Sequence, residues 1–247
     1  SGGLKMILFP AIDLKDGCCG RLRQGDMEQA TVFSDNPAEM AKKFEDAGCE
    51  WIHVVDLNGA FEGGSVNGQA IEAILDAVNI PIQLGGGIRT LEDMKYWLDK
   101  GVARVILGTI AVKSPDLVLK VCKHYGDKIA IGIDARGGQV AVEGWAETSS
   151  MHALDLAMMF EGSGAGAIIY TDIDKDGLME GPNIEMTEIL AQSTSTPIIL
   201  SGGISSIDDL YGVYELLGPL LYGAISGRAI YDGQLDPKEA VEMLKGE

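Results

Sequence analysis

Two aspartates, Asp13 and Asp134, close the short apolar runs Ile7–Ile12 and Ile129–Ile133, in the matching settings Ala11-Ile12-Asp13 and Gly132-Ile133-Asp134. Two carboxylates facing one reacting centre can work as general acid and general base if their surroundings push their pKa values apart. A lone aspartate at a strand end as readily caps a turn or pairs with an arginine; it is the pairing that sets these two apart. Glycines form a second recurring set: Gly86 and Gly87 within Gly85-Gly86-Gly87-Ile88, and Gly202 and Gly203 within Ser201-Gly202-Gly203-Ile204. Two further turns, Gly108-Thr109 and Gly227-Arg228, follow apolar runs in the same way. Glycine lets backbone come close to a ligand, and successive N–H groups at a helix start make a seat for an anion. One glycine pair alone does no more than turn a tight corner. A set repeated in order reads as two phosphate cups.

These residues need a scaffold that places them together. Apolar runs suited to strands fall at Ile7–Ile12, Trp51–Val55, Pro81–Leu84, Arg104–Leu107, Ile129–Ile133, Ala167–Tyr170, Pro197–Leu200 and Leu221–Ile225. Amphipathic stretches suited to helices alternate with them: Pro37–Ala47, Gly68–Val78, Leu91–Lys100, Pro115–Tyr125, Ala153–Glu161, Ile184–Gln192, Ile207–Leu217 and Pro237–Leu244. Pro37 and Pro115 stand where a helix accepts proline, in its first turn. Eight strands alternating with eight helices predict a (β/α)8 barrel rather than a doubly wound sheet. The repeat extends to Val54-Val55-Asp56 with Tyr170-Thr171-Asp172, and to Ile106-Leu107-Gly108 with Ile225-Ser226-Gly227, at nearly constant spacing. The expected organisation is one domain over residues 6–247, built from two (β/α)4 halves, about 6–127 and 128–247, after a five-residue tail or expression remnant.

In such a ring the two cups lie on opposite sides, and so do Asp13 and Asp134, on an axis that crosses the first. The expected ligand is long, with a phosphate at each end and its middle presented to both carboxylates. Active sites of this fold open at the C-terminal ends of the strands, where both aspartates fall. Thr171 can hydrogen-bond a substrate hydroxyl or merely satisfy a strand. Gly137-Gly138-Gln139 reads as the tip of a hairpin leading to Glu143-Gly144-Trp145, where Gly144 and Trp145 can meet a ligand, the indole by stacking, or Trp145 can fill the barrel rim. Arg21, in the polar loop after the first strand, can reach a phosphate or lie on the surface. The Gly-rich stretches Asn58–Gly64 and Asp172–Gly181, the latter holding Asp176 as a further substrate contact, suggest mobile loops.

The 247 residues carry a formal charge of −18, which argues against nucleic acid as a partner. They are 46% apolar and 6% aromatic, giving an aliphatic core. No apolar run reaches the ~18 residues a membrane span requires. The four cysteines show no C-x-x-C pairing and read as reduced thiols of a cytosolic monomer. His53, His124 and His152 share no ligand spacing, so no metal is expected.

Taken together, Phe9-Pro10-Ala11-Ile12-Asp13-Leu14-Lys15-Asp16-Gly17, Arg21-Leu22-Arg23-Gln24-Gly25-Asp26, His53-Val54-Val55-Asp56-Leu57-Asn58-Gly59-Ala60, Gln83-Leu84-Gly85-Gly86-Gly87-Ile88-Arg89, Glu143-Gly144-Trp145 and Tyr170-Thr171-Asp172-Ile173 closely resemble the phosphoribosylformimino-5-aminoimidazole carboxamide ribotide isomerases of histidine biosynthesis. The resemblance runs from Met6 to the end and departs from the family pattern at Cys18-Cys19-Gly20 and Leu178-Met179. It implies an Amadori rearrangement of an aminoaldose to an aminoketose on a substrate phosphorylated at both ends, without a cofactor. It further implies Asp134 as the general acid, Asp13 as the general base, assistance from Thr171, and Trp145 stacked on the aminoimidazole carboxamide. Two neighbours of this family share the architecture: the cyclase that acts next in the pathway, and a dual-substrate isomerase that also accepts phosphoribosylanthranilate. Ala11-Ile12-Asp13-Leu14 and Glu143-Gly144-Trp145 favour the isomerase over the cyclase, while the dual-substrate enzyme stays open. A non-catalytic bisphosphate-binding barrel would keep the cups and lose an aspartate.

Overall fold

Runs such as Ile52–Asp56 and Ala167–Asp172 are buried at all but one residue, as expected of parallel strands covered on both faces. The computed structural model of the chain describes residues 5–23, 26–62, 67–176 and 180–246. In it the strands are β1 (Ile7–Lys15), β2 (Cys18–Arg23), β3 (Asp26–Ser34), β4 (Ile52–Asp56), β5 (Ile82–Gly85), β6 (Arg104–Leu107), β7 (Ile129–Arg136), β8 (Gln139–Val142), β9 (Glu147–His152), β10 (Ala167–Asp172), β11 (Ile198–Ser201) and β12 (Leu221–Ser226). The helices are α1 (Pro37–Asp46), α2 (Leu57–Glu62), α3 (Gly68–Ala77), α4 (Leu91–Lys100), α5 (Thr109–Lys113), α6 (Pro115–Tyr125), α7 (Ala153–Met159), α8 (Ile184–Ser193), α9 (Ile207–Leu217), α10 (Arg228–Tyr231) and α11 (Pro237–Leu244).

Strands β10, β11, β12, β1, β4, β5, β6 and β7 pair in parallel in that order, and β10 pairs with β7 to close the ring. This is the (β/α)8 barrel read from the alternation. Proline opens α1 and α6 as expected. Thr90 and Ser206 cap α4 and α9 in the same way, each accepting from the N–H of an aspartate, Asp93 or Asp209, in the first turn.

Side chains alternate between two cores. Phe9, Ala11, Ala130, Ala167, Ile169, Ile199 and Ile225 fill the barrel interior, while residues such as Leu8, Ile12, Ile52 and Val54 pack outward against the helices. Phe9 claims space that its neighbours yield, since a Cβ at Gly223 would lie 2.4 Å from its ring. At one end of the interior the Arg104 guanidinium stacks on Trp51, 4.2 Å from the ring centroid, and donates through Nε and Nη2 to Gln83 Oε1 at 3.1 and 2.6 Å.

Three local expectations change. The polar loop after the first strand is a β-hairpin, with β2 antiparallel to β1 and β3 antiparallel to β2. The hairpin at Gly137-Gly138 is present, but a third strand, β9, follows it. Of the stretch Asn58–Gly64, the part through Glu62 is the helix α2; residues 63–66, and Leu178-Met179 in the second Gly-rich stretch, lie outside the described residues. Among the described residues, no helix is long and apolar enough to cross a membrane. Cys18, Cys19, Cys49 and Cys122 are free thiols, and burial pushes Cys19 and Cys49 up to about 12.

Candidate active site

Asp13 ends up on β1 and Asp134 on β7, four places apart in a ring of eight and therefore opposite each other. Both line one cleft at the C-terminal ends of the strands, together with Thr171, Asp176, Gly144 and Trp145. Asp13, Thr171 and Asp176 are buried. Thr171 and Asp134 are register partners on β10 and β7, which sets the threonine hydroxyl beside the carboxylate. Trp145 donates its indole N–H to Asp134 Oδ2 at 2.8 Å.

The indole reaches Asp134 because of a strained turn. Glu143, Gly144 and Trp145 take φ of 56°, 62° and 73° in succession, a left-handed run that costs energy at the two non-glycine residues. What holds it is Glu143. Its carboxylate bridges Arg89 at 2.7 Å and Lys113 at 2.5 Å, and its N–H donates to Thr109 Oγ1 at 2.9 Å. The hairpin loop is thus moored to the loops after β5 and β6.

Burial pushes the Asp134 carboxyl up to about 6, and the charge of Asp176 adds to this; the Trp145 and Thr171 donors pull the other way. A carboxylic acid with such a value can exchange a proton near neutrality. The Lys113 and Arg89 partners hold Glu143 below the usual carboxylate range.

The first glycine set faces the cleft: Gly86, Gly87, Gly108 and Thr109 all line it. Gly86 and Gly87 have φ of 100° and 77°, and a Cβ on either would meet the backbone oxygen of Asp56 or Gly59 at 2.2 or 2.4 Å. Only glycine fits there. The second set has the same shape. Gly202 and Gly203 have φ of 89° and 93°, and Gly227 (φ −125°, ψ −82°) repeats the unusual conformation of Gly108 (φ −105°, ψ −88°). On that side the cleft is lined by Ser201 and Ile225, next to the second set, whose own glycines and Arg228 stand outside the lining. Arg228 pairs with Asp232 of its own helix at 3.1 Å. The Arg21 side chain lies outside the described residues.

The cleft also holds His53, set aside above as a metal ligand, and Arg89, neither of which the sequence marks as a site residue. Gln83 Oε1 is taken by Arg104, so its amide Nε2, 3.0 Å from His53 Nδ1, is the donor, and His53 carries its proton on Nε2. The signal for Arg89 was its place directly after Gly87-Ile88. For His53 it was its spacing along β4, which turns it inward with Val55.

A model of the histidine biosynthesis protein family matches residues 7–236. A relative from Rhodospirillum rubrum, named 1-(5-phosphoribosyl)-5-((5-phosphoribosylamino)methylideneamino)imidazole-4-carboxamide isomerase, is 61% identical over 97% of this chain and 99% of its own length. Relatives of the same name from Brucella anthropi and Mesorhizobium japonicum are each 59% identical, over 97% and 98% of this chain and 99% and 98% of theirs. With its barrel, its paired aspartates and this similarity along nearly its whole length, the chain belongs to the histidine biosynthesis family of sugar-phosphate isomerases.

Proposed function

We propose that the protein is a cofactor-independent aldose–ketose isomerase that carries out an Amadori rearrangement on the phosphoribosylformimino-aminoimidazole carboxamide ribonucleotide. The observation that carries this reading is the placement of Asp13 and Asp134 on opposite strands of one cleft that Gly86, Gly87, Gly108 and Thr109 also line. One phosphate sits against Gly86, Gly87, Gly108 and Thr109. The other sits against Gly202, Gly203, Gly227 and Arg228, with Arg21 as a further ligand. The sugar carbons that react then lie between the carboxylates.

Asp134 acts as general acid. Its proton goes to the furanose ring oxygen, the C1–O bond breaks, and the nitrogen lone pair forms the protonated Schiff base. Asp13 then takes the proton from C2, and those electrons flow into the imine to give an enolamine. Tautomerisation of the enolamine yields the ketose, so that no bond is left to a protein atom and no oxidant is needed. Thr171 steadies Asp134, Asp176 helps keep its proton in place, and Trp145 exchanges its bond to Asp134 for stacking on the substrate ring. The two halves of the barrel, residues about 6–127 and 128–247, each supply one carboxylate and one cup.

Turnover of this substrate by wild type, Asp13→Asn and Asp134→Asn tests the roles. Each single variant should lose kcat by at least ~10²-fold, as expected when a general acid or base is removed, while binding survives. Retained turnover in both variants overturns the assignment. Parallel assays with phosphoribosylanthranilate determine whether the activity extends to a ligand with a single phosphate.

A further inference from the structure

Each aspartate stands on a strand that continues into a tight hairpin, and each hairpin is tied to the loop behind a glycine pair. Beyond Asp13, β1 turns at Asp16 and Gly17 (φ 51° and 82°) and returns with Lys15 opposite Cys18. Beyond Asp134, β7 turns at Gly137 and Gly138 (φ 58° and 83°) and returns with Arg136 opposite Gln139. Both are the mirror-image turns whose twist suits a hairpin.

The ties run between different βα units. Asp16 donates its N–H to Asn58 Oδ1, and Asn58 Nδ2 returns to Asp16 Oδ1, both at 2.9 Å, while Gly17 donates to Asn67 Oδ1 at 2.7 Å. In the other half, Gly137 donates to Asp174 Oδ2 at 3.3 Å. Asn58 and Asp174 occupy the same place in the repeat, just past the strand-end acids Asp56 and Asp172.

Those acids latch the loops themselves. Asn67 Nδ2 donates to Asp56 Oδ1 at 2.7 Å, and Asn183 Nδ2 donates to Asp172 Oδ2 at 2.8 Å, each across 11 residues. Asp56 also takes the Gly59 N–H at 2.8 Å, and Asp172 takes the Asp174 N–H at 2.9 Å. The described ends of these segments, Asp56 to Gly59 and Gly181 to Pro182, are the surface on which the glycine pairs rest. A Cβ at Gly86 or Gly87 would strike Asp56 O or Gly59 O, and one at Gly203 would lie 2.3 Å from Gly181 O.

We infer that Asn58 and Asp174 are positioning residues that set each catalytic hairpin in register with one phosphate cup, with Asp56–Asn67 and Asp172–Asn183 as the latches that hold the cup wall. None of these side chains touches the reacting atoms. The inference rests on Asp13 and Asp134 being the base and the acid. A hairpin loosened by about 1 Å loses rate rather than binding, because near-attack geometry can be worth as much as ~10²-fold. A loosened cup wall instead weakens the hold on phosphate.

Four variants separate these effects. Asn58→Ala should lower kcat roughly 10- to 100-fold with the pH profile unmoved and KM raised by a smaller factor, since Asn58 Oδ1 also accepts from Asn67 Nδ2 at 3.1 Å. The double variant Asp16→Gly/Asn58→Asp rebuilds the tie in the form it has at Gly137 and Asp174, and should restore most of kcat. Asn183→Asp keeps the helix cap, in which the side chain accepts from the Met186 N–H at 3.0 Å, but sets a carboxylate against Asp172. It should therefore raise KM, and weaken calorimetric binding of ribose 5-phosphate, as much as Asn183→Ala does. Wild-type kcat in Asn58→Ala, failure of the double variant to restore it, or wild-type binding in Asn183→Asp each overturns the inference. An inactive wild type would instead count against the proposed reaction, and the ribose 5-phosphate titrations would still decide the latch.

Discussion

At the scale of single residues, the chemistry depends on how one carboxyl is kept close to neutrality. Burial raises Asp134 to about 6 against the pull of two donors. In its proposed role as general acid it must be protonated, so kcat/KM should fall on the alkaline side of about pH 6. Trp145→Phe removes the indole donor, which lowers the value at present. The alkaline limb of that variant should therefore move to higher pH, as read from kcat/KM across pH 5–9; a limb that stays in place or moves down refutes the role of the indole. Asp13, Asp134, Thr171 and the first glycine set, which the fold brings to one cleft, were legible as residues, because strand-end acids and glycine pairs announce themselves by type and spacing. His53 and Arg89 were not, because nothing in a one-dimensional run shows that Gln83 and Arg104 orient the imidazole, or that Glu143 draws Arg89 into the cleft.

At the scale of elements, the turns after β5 and β11 carry the tightest constraint. Gly87 combines φ of 77° with a backbone oxygen 2.4 Å from where a Cβ would stand. Gly87→Ala must move the Asp56–Gly59 segment and strain its own backbone, for a loss of about 2–4 kcal/mol in chemical denaturation. Its KM should rise more than its kcat falls, since the displaced amides line the cleft where the proposed phosphate sits. A variant with wild-type stability and KM would show that the turn has room to spare. The eight barrel strands were legible in the sequence because burial on both faces makes their apolar runs nearly continuous. The hairpin strands β2, β3 and β9 were not. They branch from the barrel at its rim, and β9, as Glu-Thr-Ser-Ser-Met-His, is mostly exposed and shows no apolar alternation to find.

For the whole molecule, the raised carboxyl is a cost to the fold. Asp134 binds its proton more tightly folded than unfolded, so its contribution to stability is full below the ordinary carboxylate range and is lost as pH rises through about 6. Asparagine keeps the neutral form at every pH. Asp134→Asn should therefore match wild type near pH 4 and exceed it near pH 7.5 by up to about 2 kcal/mol in urea denaturation. Comparing variant with wild type at each pH cancels the many other carboxylates of a chain with a formal charge of −18. An equal or lower stability at pH 7.5 would mean that the carboxylate is well solvated in the cleft. By itself the sequence determined the barrel, the repeat and the identity of the paired acids, because period, composition and spacing are local quantities that survive in one dimension. Only the tertiary structure decided that the indole of Trp145 reaches Asp134, that the first glycine set opens into the cleft, and that the hairpin turns are tied to neighbouring loops. Those contacts join residues 11 to 50 positions apart, and their directions are set by ring closure and by burial, neither of which is written along the chain.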